Sequence, residues 1–417
     1  MRPARAALSL LSLSFLHLFP PAVAAQSRPL APAEPTPVLD PRQVGAAPPS
    51  ATLPAQPVPA SAAPTQLKIE IANGTSMRFG MLWQGQYELR GNSANDDLSH
   101  NLFLRRFALL LGGTVLARFE YFFDTDFADL LKAPTGEQGL KNGPGISTKD
   151  AFVTFKAVDD ELKLDAGLLL PAGTHNFLQG GGSMYAWDFF LNTFRHGNVF
   201  GSTNNPYGRD VGAQLRGLVL DGLLEYRVGV FQGKRNPPLT QPASRAAARN
   251  ALRLAGRVQL NFIDPETTYF YGGTYLGTKK VLSVGASADF QYDEDGSYRA
   301  LGADAFLDLP VGPGGLTAQL NVLHRDGGDL IAQLPKQTAL MVEGGYRFEA
   351  LKLSPIVRYE QRWGQDAASD ETDWGAGLAY WAFGHTSNLK AFYTRLVPHG
   401  DLAAFDQFNL QWQVFFY

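Results

Sequence analysis

The sequence has no cysteine among its 417 residues, which excludes thiolate catalysis, thiolate metal sites and disulfide staples. Its body has no apolar run of about 18 residues, the length an α-helix needs to cross a bilayer. Positive charge is not in excess: the formal net charge is −3, so bulk electrostatics give no footprint for nucleic acid. Lysine is scarce, with 12 of the 36 basic residues against 24 arginines. HExxH, a phosphate-cradling glycine loop and a nucleophile elbow are all missing. The seven histidines are His17, His100, His175, His196, His324, His385 and His399. Past His17 nearly all fall in expected loops or turns, where an isolated imidazole reads as solvated. Asp293-Glu-Asp295 reads as a polar hairpin. We expect no enzyme, no metal and no cofactor.

The N-terminus carries Arg2 and Arg5, a short apolar core over Ala6 to Phe19, and the small-residue run Ala22-Val-Ala-Ala25. That is the pattern of a cleaved export signal over residues 1–25. Its removal takes the net charge to about −5. Gln26 to about Thr65 is rich in Pro and Ala. Proline fixes φ and removes donors, so residues 26–75 read as an extended, largely disordered periplasmic spacer.

From Ser76 the pattern changes to a period of two. In the last stretch, Phe408, Leu410, Trp412, Val414 and Phe416 alternate with Asn409, Gln411 and Gln413. One apolar face opposite one amide-rich face suits a strand with lipid on one side and water on the other. The pattern recurs back to Met77, for example in Ala251 to Phe262, where Leu252, Leu254, Val258, Leu260 and Phe262 oppose Arg253, Arg257, Gln259 and Asn261. Short links at Gly112-Gly113, Val158-Asp-Asp160, Asp221-Gly222, Glu349-Ala350 and Phe383-Gly-His385 alternate with longer ones such as Thr125–Ser147, Pro171–Gly208 and Gly233–Arg249. Short turns on one rim and long loops on the other characterise bacterial barrels. A soluble β-sandwich would pack its apolar faces against each other; the export signal and the turn rhythm favour the barrel. The expectation is all-β: a transmembrane antiparallel β-barrel of about 16 strands over residues 76–417, in the bacterial outer membrane. Asp264 to Lys279 reads either as a long turn or as an extra short strand, and the even strand number favours the turn.

Several stretches in this order resemble the phosphate-selective porin O and P family. They are Leu104-Arg-Arg-Phe-Ala-Leu-Leu-Leu-Gly112 with Phe119-Glu-Tyr-Phe-Phe-Asp124, Asp150-Ala-Phe-Val-Thr-Phe155, and Gly208-Arg-Asp-Val-Gly-Ala-Gln-Leu-Arg216 with Val228-Gly-Val-Phe-Gln-Gly233. Gly256-Arg-Val-Gln-Leu-Asn-Phe262 running into Thr274-Tyr-Leu-Gly277, and Asp304-Ala-Phe-Leu-Asp-Leu-Pro310, complete the set. The resemblance covers roughly Met77 to Tyr417. It implies a sixteen-stranded porin, usually a homotrimer in lipid and lipopolysaccharide, with an inward-folded third loop and an arginine-lined pore for small anions.

Strand parity gives the pore candidates. Arg106, Arg118, Arg216, Arg227, Arg253, Arg257, Arg347, Arg358 and Arg362 fall on the inward face. Guanidinium forks suit phosphate or carboxylate oxygens. The inward acidic set is nearly as large, so the same arginines could instead stiffen the wall as ion pairs, and parity leaves both uses open. In the loop Pro171 to Gly208, Met184-Tyr-Ala-Trp-Asp-Phe-Phe-Leu-Asn-Thr-Phe194 is too apolar for a segment in water. We expect it to fold inward, with Tyr185, Trp187, Phe190, Arg195 and His196 forming a constriction; packing at a subunit interface is the alternative. The function expected is passive diffusion of small hydrophilic solutes, with anions such as phosphate or polyphosphate preferred. The alternatives are a general pore of weak charge preference or a non-conducting surface barrel.

Overall fold

The computed structural model describes residues 67–92, 98–133, 145–189, 208–234, 251–293, 296–332 and 334–417. The export signal and most of the proline-rich segment lie outside them. The strands are β1 Leu67–Glu70, β2 Ser76–Asn92, β3 Leu98–Val115, β4 Phe119–Asp126, β5 Ser147–Val158, β6 Leu162–Leu169, β7 Asp210–Val219 and β8 Leu224–Phe231. They continue as β9 Arg253–Asn261, β10 Val281–Asp293, β11 Gly296–Val311, β12 Gly314–Asp326 and β13 Gln337–Phe348. The last four are β14 Leu353–Trp363, β15 Glu371–Tyr380, β16 Ser387–Pro398 and β17 Phe405–Phe416.

From β2 onward each strand pairs antiparallel with the next, and β17 returns to β2 from Phe405↔Asn92 to Phe416↔Met81. The sheet therefore closes on sixteen strands and leaves no open wall edge, as lipid requires. At its start β2 projects past the end of β17, and β1 covers that edge with Leu67 opposite Phe79 and Ile69 opposite Met77. The composition of residues 26–75 places 67–70 in the extended spacer. The alternation Leu67-Lys-Ile-Glu70 and an available strand edge make them a strand instead.

The wall is inverted relative to a soluble sheet. Val228 is 61% exposed and Leu254 53%, while Arg227, Arg253, Arg257, Gln259 and Asn261 on the other face are buried. A belt of exposed aliphatic side chains around a polar interior is the arrangement of a transmembrane barrel. Trp83 and Trp412 meet edge to face on the outside at 5.2 Å.

One turn lies elsewhere than expected. Gly112-Gly113 belongs to β3, and the chain reverses at Leu116 and Ala117, which adopt positive φ of 53° and 59°. The glycine at 112 serves close packing, because a Cβ there would collide with the Tyr417 hydroxyl. Two bulges also matter. Opposite Gln84 and Gly85 the register passes from Arg106 to Leu104, leaving Arg105 as an extra residue. Opposite Asp124 and Thr125 it passes from Asp150 to Thr148, leaving Lys149 extra. A bulge re-aims side chains that simple alternation would send outward.

Asp264 to Lys279 is not a strand of the wall. It lies in a long turn, residues 262–280, between β9 and β10, on the same rim as the tight turns.

Candidate functional site: two segments folded into the lumen

The loop after β6 enters the barrel from the rim opposite the termini and crosses the lumen. Met184, Tyr185, Ala186 and Trp187 are all buried there. Tyr185 and Trp187 pack with Ile356, Ala379, Trp381 and Phe392, the Tyr185 and Trp381 rings stacking at 6.3 Å. Phe190, Arg195 and His196 lie outside the described residues.

The wall grips this loop by its backbone carbonyls. Arg257 donates to Gly173 O at 2.9 Å, Gln84 to Gly181 O at 3.1 Å and Gln413 to Gly182 O at 2.8 Å. Lys390 donates to Met184 O at 2.7 Å and to Ala186 O at 2.9 Å, and Gln411 to Trp187 O at 3.2 Å. Arg358 donates to Asp188 O at 2.6 Å and Phe189 O at 3.0 Å. Carbonyls pressed against the wall are shut off from water, so long donors from the wall take its place. The amide face of β17 thus serves the loop as much as any solvent.

Asp188 anchors the crossing. Its carboxylate accepts Arg105 Nε at 2.7 Å and an Arg106 terminal nitrogen at 2.6 Å. Burial alone would raise this carboxyl. The two guanidiniums outweigh it and hold Asp188 well below the usual carboxylate range. The bulge at Arg105 makes the double contact possible. Parity named Arg106 alone, because a bulge leaves no mark on the apolar-polar alternation.

The long turn enters from the rim of the termini, and Tyr269 to Gly273 meet the loop inside. Tyr271 N donates to Leu178 O, Gly180 N to Tyr271 O and Gly273 N to Ser183 O, each at 3.0 Å. Gln179 and Tyr271 form a parallel bridge. Gly273 is required by this approach, since a Cβ there would lie 2.8 Å from Met184 Cα. Leu170, Leu178 and Tyr271 form the seam's apolar core. His175 from the loop and Glu266 from the turn, both buried, close it at 2.8 Å. Gln179 donates to His175 Nδ1 at 3.1 Å, so the imidazole carries its proton on Nε2 toward Glu266. Burial would raise Glu266, but His175 and the Tyr275 hydroxyl together hold it below its ordinary value. His175, expected to be solvated, is instead sandwiched between Tyr271 at 4.8 Å and Phe306 at 4.1 Å.

Eight of the nine candidate arginines face inward beside carboxylates. Arg216 meets Asp165 at 2.8 Å, Arg227 meets Glu225 at 2.8 Å and Arg253 meets Asp289 at 2.6 Å. Arg257 meets Asp304 at 2.5 Å and Arg362 meets Glu371 at 3.7 Å. Arg347 and Arg358 pair with Glu349 and Glu343, and Arg106 with Asp188. Several also brace the turn: Arg227 donates to Tyr269 O at 2.9 Å and Arg347 to Leu276 O at 3.1 Å. Arg118 departs from its expected position. It sits exposed in the turn after β3, because that strand ends at Val115.

No family model and no curated protein matches the chain. Among solved structures it is similar to OmpF of Salmonella typhi, with 14% identity and a TM-score of 0.55 over 83% of this chain and 100% of that one. It is similar to an anion-selective porin from Comamonas acidovorans, with 11% identity and a TM-score of 0.53 over 82% and 100%. The outer membrane channel DcaP of Acinetobacter baumannii gives 13%, 0.52, 84% and 99%. At such identities the likeness establishes the fold: a sixteen-stranded barrel of the porin type.

Proposed function

We propose that this chain is a bacterial outer-membrane porin through which small hydrophilic solutes diffuse passively. The observation that carries the reading is the loop after β6, drawn across a closed polar lumen and fixed there by wall side chains. Such a loop narrows an aqueous path to a defined opening, with Tyr185 and Trp187 as parts of its fixed frame. The porin-type fold agrees with this role and with an outer-membrane location. A homotrimer in lipid and lipopolysaccharide follows from the resemblance.

The finer reading is preference for small anions, phosphate or polyphosphate among them, and it rests on the inward arginines and the resemblance. Their pairing favours a second reading, a diffusion pore of weak charge preference. A guanidinium held by a carboxylate presents little net field to a passing ion. Planar-bilayer recording of the purified protein tests both. Discrete conductance steps are expected, and their absence overturns the channel. Under a KCl gradient, a reversal potential of anion-selective sign supports the finer reading, and one near zero supports the second.

A further inference from the structure

The inner face of the wall is polar along β7 to β9, where Arg216, Arg227, Arg257 and Gln259 are buried. On β3, β4 and β17, near the rim of the termini, it is not. Leu110, Phe122 and Phe415 point inward there, and Tyr417 follows Phe415 on the same face. Phe270 of the inserted turn joins them, and all five are half-buried. The Phe122 ring meets Tyr417 at 5.5 Å and Phe270 at 5.8 Å. Gly80 and Gly112 make room for Tyr417, since a Cβ on either would strike its side chain. The loop passes close by at Gly182, where a Cβ would lie 2.8 Å from the Phe415 ring.

These rings form a fixed surface, because the turn that carries Phe270 is firmly held. The Tyr269 ring packs on Phe152 at 4.5 Å, and its hydroxyl donates to Leu170 O at 3.0 Å and accepts Leu170 N at 3.1 Å. Thr274 bonds Asp308 and Thr317, each at 2.9 Å. Contiguous apolar surface left against water costs free energy, and in a concave site it marks a ligand groove. Arg78 closes the patch on the side of the rim, with its guanidinium over the Tyr417 ring at 4.1 Å. The charges around it are already matched, Lys68 with Glu70 and Lys156 with Glu120. Among the described residues Arg78 itself forms no ion pair, unlike the eight inward arginines above. A guanidinium stacked by its face keeps its N–H edge for an oxyanion.

We propose that this patch binds small aromatic carboxylates on their way through the pore. The solute's ring lies against Phe122, Phe270 and Tyr417, and its carboxylate meets the N–H edge of Arg78. The inference deepens the channel reading and rests on it. Inorganic phosphate would satisfy Arg78 and leave the rings in water, so the patch selects for an apolar face as well as for a negative charge.

The test is block of the KCl current of the full chain in a planar bilayer, with benzoate, acetate or benzyl alcohol added to both sides. Benzoate is expected to reduce the current saturably. Acetate and benzyl alcohol each lack one half of the match and should need about tenfold higher concentrations. Arg78→Gln should bring benzoate to the level of benzyl alcohol. Phe122→Leu keeps an apolar side chain and removes the ring, and should weaken benzoate about three- to tenfold. Equal block by benzoate and acetate overturns the role of the rings, and equal block by benzoate and benzyl alcohol overturns that of Arg78. Conductance without saturable block by benzoate overturns the site and leaves the channel standing. Absence of conductance overturns both.

Discussion

The two segments inside the barrel are held by different balances of the same chemistry. The loop after β6 offers carbonyl oxygens, and the wall answers with arginine, lysine and glutamine donors. The turn of residues 262–280 offers both signs: Arg227, Arg347 and His385 donate to its carbonyls, and the Asp308 carboxylate takes its N–H groups. Asp308 accepts Tyr275 N at 2.8 Å, Gly277 N at 3.0 Å and the hydroxyls of Thr274 and Thr317 at 2.9 and 2.8 Å. A barrel interior thus works as a lining of fixed hydrogen-bond partners, matched in sign to the backbone that passes it. Donors spread over several strands fix the loop along its length, whereas the turn adds to such donors one carboxylate, Asp308, on which Thr274, Tyr275 and Gly277 converge.

The largest effect is expected where the loop's grip coincides with buried charge. Arg358 holds Asp188 O and Phe189 O and also pairs with Glu343, whose side chain is 1% exposed. Arg358→Ala leaves that carboxylate uncompensated, a loss of about 3–5 kcal/mol. Urea unfolding of the lipid-refolded barrel measures it, with Arg358→Lys recovering part. A loss under about 1 kcal/mol would mean that the loop does not depend on the wall for its position. Asp308→Ala comes next, at about 2–3 kcal/mol, because the freed turn can rehydrate at the rim. Its signature is local: amide exchange should rise over residues 268–277 and stay unchanged over 181–189. Equal rises in both would dissolve the distinction between the segments.

Much of this was legible in sequence. The period of two and the short-long rhythm of links specify a sixteen-stranded barrel, since closure, lipid and an even strand count leave few alternatives. The apolar run Met184 to Phe194 could not be a loop in water, and as far as Phe189 it lies inside. The chemistry of the interior was less legible. Gln411 and Gln413 look the same in sequence whether they face water or a carbonyl. Arg105 falls on the outward parity, and only a bulge turns it to Asp188. The inserted turn did leave a trace. Tyr269-Phe-Tyr271 followed by Gly272-Gly273 and Tyr275 is too aromatic for a solvent-exposed link, by the same argument that placed the loop, and glycine beside a ring permits close approach.

His385 stands where the holds on the two segments meet, and its titration tests whether they are coupled. Its backbone oxygen accepts Gln413 Nε2 at 2.7 Å, the same amide that holds Gly182 O of the loop. Its ring Nε2–H donates to Thr274 O of the turn at 3.0 Å. Burial, then the nearby Lys390 ammonium, push this imidazole down to about 4 from 6.5. A depressed folded value means that the unfolded chain binds the proton first. The contribution to stability is therefore complete above pH 6.5 and lost as pH falls toward 4. The residue as a whole is half-buried, so solvent tempers the effect to about 1–2 kcal/mol. Melting in detergent between pH 7 and 4.5 should show this slope, and His385→Gln, which keeps a donor for Thr274 O, should flatten it. If protonation loosens only the turn, amide exchange rises over residues 268–277 while 181–189 stay protected. A simultaneous rise in both would show that this one residue transmits strain from the turn to the loop.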